Sequence, residues 1–71
     1  MNHQFWQWVC SSRLTASDLQ DIRYSLRSWG GQASIIAGWP DRELRAALNR
    51  GCDAYLRYGR VDRANNALWG G

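Results

Sequence analysis

His3 is the single histidine of this chain, and six carboxylates (Asp18, Asp21, Asp41, Glu43, Asp53 and Asp62) complete its candidate general acids and bases. His3 falls in the first three residues, which are expected to fray. The carboxylates fall where helix dipoles and acid-before-base pairs such as Asp41–Arg45 and Asp53–Arg57 already account for them. The candidate nucleophiles are Cys10 and Cys52. Arg50 near Cys52 would favour a thiolate, but a buried, inert thiol is the expectation there. No G-x-S-x-G, Walker A, H-E-x-x-H or Cys–His pattern occurs. With one histidine and no C-x-x-C, a tetrahedral zinc site lacks ligands. The residues that could do chemistry therefore predict no enzyme, no metal and no cofactor.

The cysteines also bear on compartment. A disulfide between them is one arrangement, and two buried free thiols in a cytoplasmic protein are the expected one. The first residues, MNHQFWQWVCSSR, lack the basic start and long apolar centre of a signal peptide. No apolar run approaches the length of about 20 residues that spans a bilayer.

Binding chemistry is better represented. The net charge of +3 rests on nine Arg and no Lys. Guanidinium groups favour planar partners such as phosphate and carboxylate, although a GC-rich genome also writes Arg where another writes Lys. Arg57, Arg60 and Arg63 cluster around Gly59, and Arg42, Arg45 and Arg50 can share a side with them. Together these six form a candidate nucleic-acid surface that would neutralise phosphates and respond steeply to salt. The competing reading is a solvated face partly neutralised by Asp41, Glu43, Asp53 and Asp62. Leu19 to Trp39 can also be laid over a helix-turn-helix with Gly30 at the turn. Leu26 then stands where a small residue is wanted, and Gln32 to Gly38 carries no basic residue.

The second binding class is protein recognition. Five Trp, three Tyr and one Phe in 71 residues exceed what a small core readily hides. Trp6, Tyr58 and Trp69 are the aromatics placed least securely inside. With Arg57, Arg60 and Arg63 they form a candidate apolar patch with a charged rim, the composition of an interface hot spot. Self-association into a homodimer would cover the same surplus.

These residues must be positioned by helices. Leu44, Ala47, Leu48, Gly51, Tyr55 and Tyr58 follow helical spacing over 40–58, with Pro40 suited to the first helical position. Gly51 is awkward inside that helix, at about 1 kcal/mol against Ala, and Asn49-Arg50-Gly51 is an alternative helix end. Leu19, Ile22, Leu26 and Trp29 make a second stripe behind a capping box at Thr15 to Asp18 or at Ser17 to Gln20, closed by Gly30-Gly31. Residues 2–12 read as a helix burying Phe5, Trp8 and Val9 under an Asn2 cap. Their alternation of Trp6, Trp8 and Cys10 is the strand alternative. Residues 32–39 read as a connector with Ile35, Ile36 and Trp39 inserted between helices. Asp62 is placed to cap a last helix that buries Val61, Ala64 and Leu68.

The order of an aromatic first helix (Phe5-Trp6-Gln7-Trp8), a capped second helix, then Leu44-Arg45-Ala46-Ala47-Leu48 and a final helix resembles small SAM-like helical modules. That resemblance implies a helical fold and transfers no function. In size, aromatic surplus and absence of a catalytic set, the chain also looks like small accessory proteins encoded by phages, including inhibitors of host machinery. The expectation is an all-α, single-domain bundle of four to five short helices over residues 1–71, with 1–3 and 70–71 frayed. An α+β fold with a short N-terminal hairpin is the alternative. The expected core is Phe5, Trp8, Val9, Leu14, Leu19, Ile22, Leu26, Trp29, Ile35, Ile36, Leu44, Leu48, Tyr55 and Leu68. The expected function is binding of a protein partner, with nucleic acid as the alternative.

Overall fold

The computed structural model describes residues 1–70 and consists of α1 (His3–Ser11), α2 (Ala16–Trp29), α3 (Gly31–Ile36), α4 (Asp41–Tyr58) and α5 (Val61–Trp69). This is the expected all-α bundle. No strand occurs among the described residues, so the hairpin alternative falls. The helix termini follow local chemistry. The Asn2 side chain accepts from the Phe5 N–H at 2.9 Å and starts α1. Thr15 and Asp18 form a reciprocal capping box at α2. The bond from the Thr15 N–H, and after it the hydroxyls of Ser12 and Thr15, hold the Asp18 carboxyl below its ordinary value.

Two helix starts differ from expectation, α4 by one residue and α5 by two. Pro40 is the extended residue flanking α4, with Asp41 first in the helix. Arg60, not Asp62, flanks α5, and Asp62 lies in its first turn paired to Arg60. Residues 32–39 hold a helix of six residues, α3, separated from α2 by Gly30 alone. Gly30 has φ 75°, a conformation glycine adopts cheaply, and it alone separates the two helices. Met1, expected to fray, is half-buried, and its carbonyl accepts from Asn65 Nδ2 at 3.3 Å. Gly71 lies outside the described residues.

α4 crosses the whole molecule and packs against α5 and α1, while α2 pairs with α3. The core comprises Phe5, Trp6, Val9, Leu14, Leu19, Ile22, Leu26, Ala33, Ile36, Ala37, Leu44, Ala47, Leu48, Ala64 and Leu68. The major correction is on α1. Trp6 is fully buried, and Trp8, expected inside, is more than a third exposed. The cause is Gly51 in the interior of α4. A Cβ on Gly51 would lie 2.5 Å from Cζ3 and 3.0 Å from Cζ2 of the Trp6 ring, so the indole rests directly on the α4 backbone. Gly51 is therefore a slot in a continuous helix, not a helix end. Trp6 Nε1 donates to Asn65 Oδ1 of α5 at 2.9 Å, which satisfies its buried N–H. Phe5 meets the Trp6 ring edge-on at 5.1 Å and Trp8 at 6.0 Å, completing an aromatic cluster on α1.

Trp29 and Ile35 also lie largely outside the core, at 48% and 67% exposure. The break at Gly30 turns α3 so that Ala33 and Ile36 face inward instead. Tyr55 is half-buried, with its hydroxyl 2.9 Å from His3 Nδ1. The two cysteines, expected as free thiols, are joined in a disulfide between α1 and α4, with Cα atoms 5.4 Å apart. No helix among the described residues is long and apolar enough to cross a membrane.

Candidate functional site

Arginine position separates structure from surface. Arg23 on α2 donates to the carbonyls of Ala37 at 2.6 Å and Trp39 at 2.7 Å, and pairs with Asp41 at 2.6 Å. It thereby satisfies carbonyls left open where α3 ends. Arg45 donates to the Leu14 carbonyl. Leu14 is the one non-glycine residue at positive φ among those described (53°), and this grip helps hold that strained turn. Arg50 Nε donates to Ala67 on α5 at 3.1 Å. Arg60 Nε and Nη2 each lie 3.0 Å from an Asp62 oxygen, a two-pronged pair. The side-chain bond from Arg60 is the main reason the Asp62 carboxyl lies below its ordinary value.

Arg57 and Arg63 are used differently. Neither is in an ion pair among the described residues, and both lie against one aromatic ring. The Arg57 guanidinium carbon is 5.9 Å, and that of Arg63 4.9 Å, from the Tyr58 centroid. The backbone brings this about locally. α4 stops at Gly59, whose φ of 64° gives the left-handed cap, and the Gly59 N–H closes on the Tyr55 carbonyl at 2.8 Å. Arg60 is extended, and α5 then begins beside the end of α4. Residues 57, 58 and 63 thus meet at one tip of the α4–α5 hairpin. Tyr58 is half exposed and Leu56 is 70% exposed. A shallow groove of about 630 Å³ runs from this tip between the helices, lined by Arg50, Asp53, Ala54, Leu56, Arg57, Tyr58 and Ala67. It joins exposed apolar surface to cationic groups.

The expected aromatic patch of Trp6, Tyr58 and Trp69 does not form. Trp6 is in the core, which removes it from any binding surface. Trp69 lies at the far end of α5, about 12 Å along the axis from Val61. There it lines a smaller pocket of about 140 Å³ with Gln32, Ile35, Ile36 and Trp39. Arg57, Arg63 and Tyr58 are brought together, with Arg60 beside them but paired to Asp62. The wider basic surface is divided. Arg42 is about 22 Å along α4 from Arg57, and Arg45 and Arg50 are bound to carbonyls. The helix-turn-helix overlay also fails geometrically, because α3 has six residues and follows α2 across a single glycine. Sequence reasoning missed Leu56, although its position off the buried stripe of α4 was a readable signal.

His3 of α1 and Tyr55 of α4 make an exposed pair between the two helices, and the cysteines are bonded to each other. No group of three or more His, Cys, Asp or Glu side chains that could hold a metal ion is found among the described residues. Neither a protein-family model, nor a curated protein, nor a solved structure matches the chain.

Proposed function

We propose that this chain is a non-enzymatic binding module that takes a protein partner at the α4–α5 tip. The observation that carries the reading is Tyr58, half exposed beside two guanidinium groups that make no ion pair among the described residues. The rigid ring offers contact area at little entropic cost, and Leu56 extends the apolar surface. Arg57 and Arg63 select for negative charge near that surface. The partner chemistry that fits is an acidic segment carrying an aliphatic or aromatic residue. By covering a partner's surface, such a module can also act as an inhibitor.

A nucleic-acid function is the alternative that the same groups support, since an exposed ring beside two cations also stacks a base. The division of the basic surface favours the protein reading. Two unpaired Arg at the tip neutralise few phosphates, so a duplex would be held weakly.

The test is a fluorescence-polarisation screen of acidic, neutral and basic peptides, run beside random duplex and single-stranded DNA at about 50 and 200 mM salt. The expected result is selective binding of acidic peptides bearing Leu or Phe, weakened about tenfold or more by Tyr58→Ala. Tight DNA binding that falls steeply with salt and survives Tyr58→Ala would overturn it in favour of phosphate recognition.

A further inference from the structure

We propose that the Cys10–Cys52 disulfide is a redox clasp, formed in an oxidising setting, that holds α1 over the C-terminal half of α4 and releases it on reduction. α1 has nine residues, a length that is not helical on its own in water, so its order depends on what it touches. Its contacts gather around the bridge. Trp6 rests on Gly51, the residue before Cys52. His3 reaches Tyr55, three residues after Cys52, and Trp6 Nε1 is held by Asn65.

The bridge is the one covalent tie in this set, and it sits at the end of α1 remote from His3. It also closes the chain through all of α2 and α3, a sequence separation of 42, so it restricts the unfolded chain strongly. Both cysteines are half-buried. In reduction by dithiothreitol, the reagent supplies two electrons and two protons. The Sγ–Sγ bond breaks, two thiols form, and the reagent closes into its own cyclic disulfide.

With the bridge open, α1 keeps its apolar contacts but loses its anchor, and the covered side of Gly51, Cys52 and Tyr55 becomes accessible during opening. This places the working form of the chain with disulfide-permissive compartments rather than with the free-thiol cytoplasmic setting expected from its sequence. The proposal is independent of what binds the α4–α5 tip.

The experiment compares oxidised chain, dithiothreitol-reduced chain and the Cys10→Ser/Cys52→Ser double variant by thiol titration, thermal unfolding and amide hydrogen exchange. The oxidised chain is expected to show no titratable thiol before reduction. Its midpoint should fall by roughly 15–30 °C on reduction, judged from the length of the closed loop. If the reduced chain is unfolded at working temperature, exchange is measured at about 5 °C, and exchange over residues 3–11 should accelerate at least about tenfold more than over α2. Two freely titrating thiols in oxidised glutathione, an unchanged midpoint, or equal acceleration in every helix would each overturn the clasp.

Discussion

Trp6 and Tyr58 both meet the C-terminal half of α4, and they meet it in opposite ways. Trp6 arrives from another helix, lies against the bare backbone at Gly51, and has its N–H satisfied by Asn65. Tyr58 belongs to α4 itself, projects half into solvent, and has only two cations on its ring. The arginines divide along the same line. Arg23 and Arg45 hold backbone carbonyls near the start of α4, whereas Arg57 and Arg63 at its end hold none. Residue type alone therefore says little about role in this chain. What decides it is whether a neighbouring element uses up the polar and apolar capacity of the side chain.

That contrast can be tested from its strongest consequence to its weakest. Trp6→Ala should destabilise the fold by about 3–5 kcal/mol, the range for removing a fully buried aromatic. Urea unfolding measures it, and a loss below about 1 kcal/mol would mean that the indole is not seated in α4. Gly51→Ala should cost about 1–3 kcal/mol, although alanine is the better helix former, because the added methyl meets the ring. A stabilising outcome would show that the slot is open. Arg23→Ala should cost about 1.5–3 kcal/mol through the carbonyls it leaves unpaired. By contrast, Arg57→Ala, Tyr58→Ala and Arg63→Ala should each stay within about 0.5 kcal/mol in stability, while changing affinity for acidic peptides. Equal losses from the two arginine sets would erase the distinction between fold and site.

The smallest effect concerns pH. The Asp18 carboxyl is held below its ordinary value by its bond to the Thr15 N–H, then by the hydroxyls of Ser12 and Thr15. Its contribution is present above the unfolded-state value and is lost as pH falls through the lower folded-state value. Asp18→Asn should therefore lower the unfolding midpoint at pH 7 and make no difference in strong acid. An equal deficit at both pH values would assign the loss to shape rather than charge.

Much of the fold was legible because its signals are local. Asn2, Thr15 with Asp18, Gly30 and Gly59 mark helix ends through bonds that span a few residues, and the stripe of α4 fixed its inward face. At the site, Arg57, Tyr58 and Arg63 were legible because a tight turn at Gly59 keeps them close whatever the rest of the chain does. Trp6 and Trp69 were misplaced with them for the converse reason. Their surroundings come from elements far away in sequence, and adjacent aromatics on a short helix offer two rival faces, Phe5 with Trp8 or Phe5 with Trp6.

Taken by itself, the sequence determined the helical class, the caps at Asn2, Thr15, Gly30 and Gly59 and the cationic turn, since each depends on hydrogen bonds and side-chain spacings within about one or two helical turns. Tertiary structure alone decided which tryptophan is buried, that Gly51 is a seat rather than a break, that Cys10 and Cys52 are joined, and which arginines remain free. Each of those outcomes is set by a surface that a second helix either covers or leaves to water.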